Sequence, residues 1–347
     1  MDNISRLLTL AAIPALLLSS CAKETATAPN FAAKLYFDSW IQVWQSEHGD
    51  SAREAGNGIW ILEEEIGTGD VYADSNMFAM LDYTITDLQG NVSGTTYEPV
   101  AKRVGSYDKS YYYGPKVSMI QEGGCYAGLQ DALSGMRIGG RRKVAIPSWL
   151  MTTARYDSPE GYLAVSSSVN PAIYDITFRD QIYNIYKWEA DSLDLYAKKF
   201  MNGADSTFFA GDSTAAKFGF YFEPLNTGYA EDKLPTDTTF KINYVGRLLN
   251  GQVFDTTIAD TAKVWNIYSA NKTYSSVEIT ISQNVNEITM DESSSLILGF
   301  QAGCAMLHKG MQARVAFYSP YGYSYSGTGS AVPPFSPLVF DLFYSEE

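Results

Sequence analysis

Lys241-Ile-Asn-Tyr244-Val-Gly246-Arg-Leu-Leu-Asn250-Gly251-Gln-Val253-Phe254-Asp255-Thr-Thr257 decides how this chain folds. It reads as a strand ending near Gly246, a turn at Asn250-Gly251 and a short second strand carrying Val253 and Phe254. Asn and Gly both tolerate positive φ, so Asn-Gly between apolar runs is a strong hairpin signal. Downstream, Gly299-Phe300 is followed at helical spacing by Leu307 and Gly310. A tyrosine-rich loop comes next, then Val332-Pro333-Pro334 and Pro337-Leu338-Val339-Phe340-Asp341.

The same blocks occur once upstream, giving a repeat of about 160 residues. Gly58-Ile59-Trp60-Ile61-Leu62 parallels Gly219-Phe220-Tyr221-Phe222, and Gly58 precedes Tyr83 by 25 residues, as Gly219 precedes Tyr244. Gly128 and Gly139 are 11 apart, as are Gly299 and Gly310, each pair enclosing a helix-like segment. The chain is therefore a duplicated domain. Apolar residues at helical spacing predict an amphipathic helix before each copy. One runs over 31–47 (Leu35, Trp40, Ile41, Trp44) and the other over 180–202 (Ile185, Trp188, Leu193, Tyr196, Phe200). They pack on their own copies or on each other. The stretch 203–217, rich in Ala, Ser, Gly and Asp, reads as a loop. Long insertions cover 95–124 and 256–295, the second holding an alternating strand at 277–282. Tyr111-Tyr112-Tyr113 in the first insertion is either a sticky aromatic surface or a half-buried strand or loop.

In order and spacing these segments resemble the FKBP-type peptidyl-prolyl cis-trans isomerases. The resemblance implies an α+β fold of two FKBP-like domains, each a half-barrel antiparallel sheet wrapped round a short helix and preceded by an amphipathic helix. It divides the chain into a degenerate domain at 31–179, a connecting helix and loop at 180–217, and a domain with a retained pocket at 218–347. The walls it assigns to that pocket are Tyr244, Phe254, Asp255, Leu296, Ile297, Phe300, Tyr323, Val332 and Phe340. Two departures stand out: the floor, usually Trp, is Phe300, and the usual Tyr-Gly pair reads Tyr323-Ser324. The smaller floor leaves a deeper, less sharply defined pocket, which implies weak catalysis.

The chemistry suits such a site. Rotation about an Xaa-Pro bond meets a barrier of roughly 18–20 kcal/mol set by amide resonance. The twisted amide is less dipolar than the planar one, so an apolar pocket favours it over water, without nucleophile, base, metal or cofactor. Asp255 is expected to face the turning carbonyl and Tyr323 to donate to a substrate carbonyl. Burial alone accounts for Phe254 and Phe340 in any half-barrel, whereas an Asp beside Phe in a hairpin has no structural need. In the first copy, Ser93-Gly94 stands where Phe-Asp is expected and Leu129 where the floor is. Trp149-Leu150-Met151-Thr152 replaces the tyrosine loop, and Tyr83 and Tyr174 remain as framework. That copy reads as a scaffold or client-binding domain.

The N-terminus reads as an export signal: Arg6, an apolar stretch over 7–18, then Leu18-Ser19-Ser20-Cys21. A cysteine directly after Leu-Ser-Ser resembles a bacterial lipobox, so residues 1–21 are expected to be a lipoprotein signal with Cys21 acylated and 22–30 a tether. Several acyl chains anchor stably where one is marginal. The chain is thus expected in the cell envelope, lipid-anchored at the outer membrane. A formal charge of −14 argues against a nucleic-acid partner. Arg141-Arg142-Lys143 reads as a solvated strand start. Cys125 and Cys304 fall in different copies and are expected as buried free thiols. His48 and His308 are isolated, so a zinc site or Ser-His-Asp triad lacks parts. The leading reading is an envelope-anchored isomerase or folding helper for proline-containing exported polypeptides. The alternative is a non-catalytic docking subunit of an outer-membrane assembly or transport complex; a glycan-binding lipoprotein rests on the tyrosine-rich loops alone.

Overall fold

The Asn250-Gly251 hairpin forms, with Gly251 at φ +89° and Asn250 Oδ1 accepting from Gln252 N at 3.0 Å. The computed structural model describes residues 29–49, 51–70, 73, 76–165, 169–202, 219–227, 229–231 and 233–346. Cys21, most of the tether and the loop 203–217 lie outside the described residues.

Two units follow one another. The first runs α1 (Phe31–His48), β1 (Arg53–Glu54), β2 (Trp60–Glu65), β3 (Met77–Thr86), β4 (Val92–Thr95), α2 (Glu98–Val104), β5 (Lys116–Ile120), α3 (Ala127–Leu133), β6 (Arg141–Ile146), α4 (Pro159–Ala164) and β7 (Ala172–Ile182). The second runs α5 (Ile185–Phe200), β8 (Phe220–Pro224), β9 (Thr239–Leu248), β10 (Val253–Thr256), α6 (Ala259–Val264), β11 (Val277–Thr280), β12 (Thr289–Met290), α7 (Leu298–Ala305), β13 (Gln312–Phe317) and β14 (Leu338–Ser345). Each has one seven-stranded sheet in which every pairing is antiparallel. The first is ordered β2-β6-β7-β3, with β4 and β5 both on β3. The second is ordered β8-β13-β14-β9, with β10 and β11 both on β9. Strand for strand these are one topology, and β1 and β12 are the additions.

Register places Tyr174 between Val144 and Ile85 in the first sheet, as Phe340 lies between Val315 and Gly246 in the second. The repeated glycines have a steric reason. A Cβ on Gly128 would lie 2.3 Å from Ile146, and one on Gly299 would lie 2.4 Å from the Phe317 ring. Only glycine lets α3 and α7 pack so closely on β6 and β13. Gly139 and Gly310 hold the turn after each helix at φ +82° and +80°.

Each preceding helix packs on its own unit. Phe37, Ile41 and Trp44 of α1 enter the first core, while Leu35 is 54% exposed. Leu193 and Ala197 of α5 pack with Tyr221, Ala316 and Val339 of the second sheet. The expected start of α5 at 180 is too early. Asp180–Ile182 finish β7, and the helix begins after Asn184, whose side chain accepts from Lys187 N. Sheet pairing with β3 takes those residues, a non-local competitor that helical periodicity cannot register.

Arg141-Arg142-Lys143 is not simply solvated. These residues face Glu63, Glu64 and Glu65 across β2, and Arg142 is 4% exposed. It pairs with Glu64 and donates to Ala132 O at 2.6 Å and Ser134 O at 2.9 Å, closing the end of α3. The 107–114 loop docks on the second unit. Tyr112 packs against the second core and its N–H donates to Ser330 O, while Gln252 Nε2 donates to Ser110 O. Val117, Ile182, Ile185 and Phe335 form an apolar seam between the units. Among the described residues no helix is long and apolar enough to cross a membrane.

Candidate active site

The β9–β10 hairpin carries the site. Pairing shifts between Val253 and Asp255, which lets neighbouring residues turn to one face of the hairpin. Phe254 sets its ring edge-on to Phe340 (5.6 Å) and Tyr323 (6.2 Å), and Asp255 reaches the same space. The cavity there, about 170 Å³, is lined by Tyr244, Asp255, Met290, Ser295, Leu296, Ile297, Phe300, Tyr323 and Phe340. Leu296 and Ile297 lead into α7, and Phe300 stands in its first turn, with rings 5.3 Å from Tyr244 and 5.2 Å from Phe340.

Seven of the nine sequence-assigned residues therefore line one cavity, and Phe254 buttresses it from the side. Val332 does not line it. At 1% exposure it packs in the core, where it bridges Thr328. Met290 and Ser295 come from the insertion and have no counterpart in the repeat pattern, so sequence reading missed them.

Asp255 does have a structural task, contrary to the sequence expectation. Tyr244 Oη donates to its Oδ2 at 2.7 Å, Lys272 from the insertion forms an ion pair with it, and its Oδ1 accepts from Thr256 N. Burial, then the Asp255 carboxylate, raises the Tyr244 hydroxyl far above its ordinary range, so Tyr244 stays a donor. Tyr323 is raised by the same two causes. Its hydroxyl makes no hydrogen bond among the described residues and is free to donate to a guest.

Ser324 departs from the family in the backbone, not in the wall. It sits at φ +52°, where glycine is at ease, held by Ser324 N to Ser319 O (2.8 Å) and Phe335 N to Ser324 O (2.9 Å). A non-glycine residue there costs on the order of 1–2 kcal/mol. The turn at Ser319–Tyr321 is fixed from below by Glu189 of α5, which is fully buried and accepts from Ser319 N (2.5 Å) and Oγ (2.8 Å). Burial pushes this carboxyl up to about 7 against the two Ser319 hydrogen bonds. Ile185, Glu189, Leu193 and Ala197 are the buried stripe of α5. A glutamate in an apolar i, i+4 row was the available signal.

Residues 231–343 match the family described as FKBP-type peptidyl-prolyl cis-trans isomerase. This part of the chain is an FKBP-type domain. A probable FKBP-type peptidyl-prolyl cis-trans isomerase of Haemophilus influenzae is 26% identical over 157 residues, covering 45% of this chain and 54% of the relative. The matched region thus spans about half the length of that relative. Among solved structures, the three FKBP domains of wheat FKBP73 align at TM-score 0.29 and 14% identity, over 85% of this chain and 97% of theirs. FkpA from Escherichia coli aligns at TM-score 0.29 and 16% identity, over 44% of this chain and 61% of its own. A peptidyl-prolyl cis-trans isomerase from Pseudomonas syringae pv. tomato aligns at TM-score 0.27 and 21% identity, over 46% and 90%.

The first unit repeats the topology of the FKBP-type domain but not its walls. Gly94 pairs with Ile85 where Asp255 pairs with Gly246, so Ser93-Gly94 does hold the Phe-Asp position. Yet the cavity persists. It is larger, about 380 Å³: Leu129 and Ser93 stand where the second unit has the rings of Phe300 and Phe254, no ring stands in for Tyr323, and Tyr174 keeps a ring in the place of Phe340. Cys125 and Cys304 are free thiols; Cys304 is buried in α7, but Cys125 is only half-buried and lines this cavity.

Proposed function

We propose that the FKBP-type domain isomerises Xaa-Pro bonds of exported polypeptides, and that the chain works at the cell envelope, held by lipid on Cys21. The observation that carries the catalytic reading is the small aromatic cavity beside α7 with Asp255 at its edge. A prolyl ring enters among Tyr244, Phe300 and Phe340. The apolar surroundings lower the cost of the twisted amide relative to the planar, more dipolar one. Tyr323 donates to a carbonyl of the bound segment and holds it while the prolyl bond turns. Asp255 acts by fixing the Tyr244 ring and by setting a negative potential next to the rotating carbonyl. The acidic balance of the chain and the family match support a polypeptide over a nucleic-acid partner.

The test uses the full chain and an Ala-Phe-Pro-type peptide. Asp255→Ala removes a charge-assisted hydrogen bond of roughly 1.5–3 kcal/mol, so the isomerisation rate is expected to fall about tenfold or more while far-UV circular dichroism is unchanged. Equal rates in variant and parent would favour the docking-subunit reading.

A further inference from the structure

We propose that the cavity of the first unit is a second polypeptide site, which takes a bulky aromatic side chain of an extended segment without isomerising it. This rests on the reading of the FKBP-type domain as one that acts on polypeptides.

Four observations carry it. The first is size. At about 380 Å³ the cavity has more than twice the volume of its 170 Å³ counterpart, and falls in the range of about 300–1,000 Å³ typical of ligand pockets. A space that fits a prolyl ring loosely fits an indole well. The second is position. The two cavities occupy the same place in one topology, between the sheet and the short helix, so a chain that crosses one mouth has the same access at the other.

The third observation is chemistry. Leu81 and Leu129 supply apolar walls, and Tyr83, Tyr126 and Tyr174 supply ring faces, with no charged residue in the lining. An ionic ligand finds no counter-charge there. The hydroxyls of Tyr83, Tyr126 and Tyr174 have no hydrogen-bond partner among the described residues, and each keeps contact with solvent at the cavity. Burial pushes Tyr174 up to about 12, and Tyr126, Tyr83 and Cys125 add to the rise, which puts these groups around one space. Convergent unpaired donors match the carbonyls of an extended peptide, and a tyrosine oxygen can accept from an indole N–H. An acyl chain would leave all three unpaired. The fourth is what is missing: Gly94 stands in the position of Asp255, so the site lacks the polar partner that the isomerising cavity has.

The test measures fluorescence anisotropy of the full chain with a fluorescein-labelled, proline-free, Ser/Ala-rich peptide carrying one tryptophan. The same peptide with alanine in that place is the reference. The tryptophan peptide is expected to bind at least tenfold more tightly. Leu129→Trp, which fills the cavity from its floor, is expected to weaken it tenfold or more. Tyr174→Phe, which deletes one unpaired hydroxyl and threatens the fold least, is expected to weaken it three- to tenfold. Xaa-Pro isomerisation should be unchanged in both. No preference for tryptophan, or parent-like binding in both variants, overturns the proposal, as does loss of binding in Asp255→Ala. Should Leu129→Trp unfold, Tyr174→Phe decides alone. Tryptophan-dependent binding without isomerisation would refute the catalytic reading and leave this site standing; isomerisation without such binding does the reverse.

Discussion

Glu189 couples the stability of the second unit to pH, and the sign follows from its burial. Its carboxyl moves from an ordinary 4.5 to about 7 in the folded chain. Between those values the folded state holds the proton and the unfolded state has released it. The contribution is therefore complete below pH 4.5, declines as pH rises towards 7, and is gone above it. A tenfold difference in proton affinity between the two states corresponds to about 1.4 kcal/mol, so the loss across the window is about 3 kcal/mol. Tyr318, which faces this contact, is pushed up from its ordinary range by burial and so stays clear of the window. Glu189→Gln keeps the shape and an acceptor for Ser319 but removes the titration. Urea unfolding of the full chain, followed by tryptophan fluorescence with Trp188 adjacent, gives stability at several pH values for parent and variant. Other carboxylates contribute equally to both, so the difference between the two pH slopes is the readout. The parent should lose about 3 kcal/mol more than the variant across the window. Parallel slopes would refute the assignment of a neutral, buried Glu189. Because Ser319 begins the turn that leads to Tyr323, the variant should also alter the isomerisation rate near pH 7.

Arg142→Ala strands the carbonyls of Ala132 and Ser134, while Glu64, on the exposed part of β2, keeps its pair with Arg53. It is expected to cost about 1–3 kcal/mol in chemical denaturation, and no measurable loss would show the site relaxes freely. Cys21→Ala is expected to move the protein from the membrane pellet to the soluble fraction and to abolish fatty-acid probe labelling, and unchanged labelling would sink the anchor.

What the sequence determined by itself was whatever repeats or acts locally. The Asn250-Gly251 turn needs only a residue that accepts positive φ at Gly251 and a side-chain acceptor at Asn250 for Gln252 N. The matched glycine intervals reported the duplication because one backbone conformation and one close helix–strand contact recur in each copy. The residues from Tyr244 to Phe340 were legible as a set because they ride on those repeated elements. Other features depended on which distant segments meet, and only the tertiary structure decided them. Lys272, Met290 and Ser295 reach the site from an insertion that has no repeat to align. Val332 turned inward to the core, although its place in the motif put it in the wall. Asp180–Ile182 were claimed by β3, and Arg142 by the carboxylate of Glu64. The larger first cavity goes with two ring losses, Leu129 in the place of Phe300 and Ser93 in the place of Phe254, while Tyr174 keeps a ring where Phe340 stands. Cavity volume is a property of the space between elements. The sequence names its walls, and the packing of sheet on helix sets how far apart they stand.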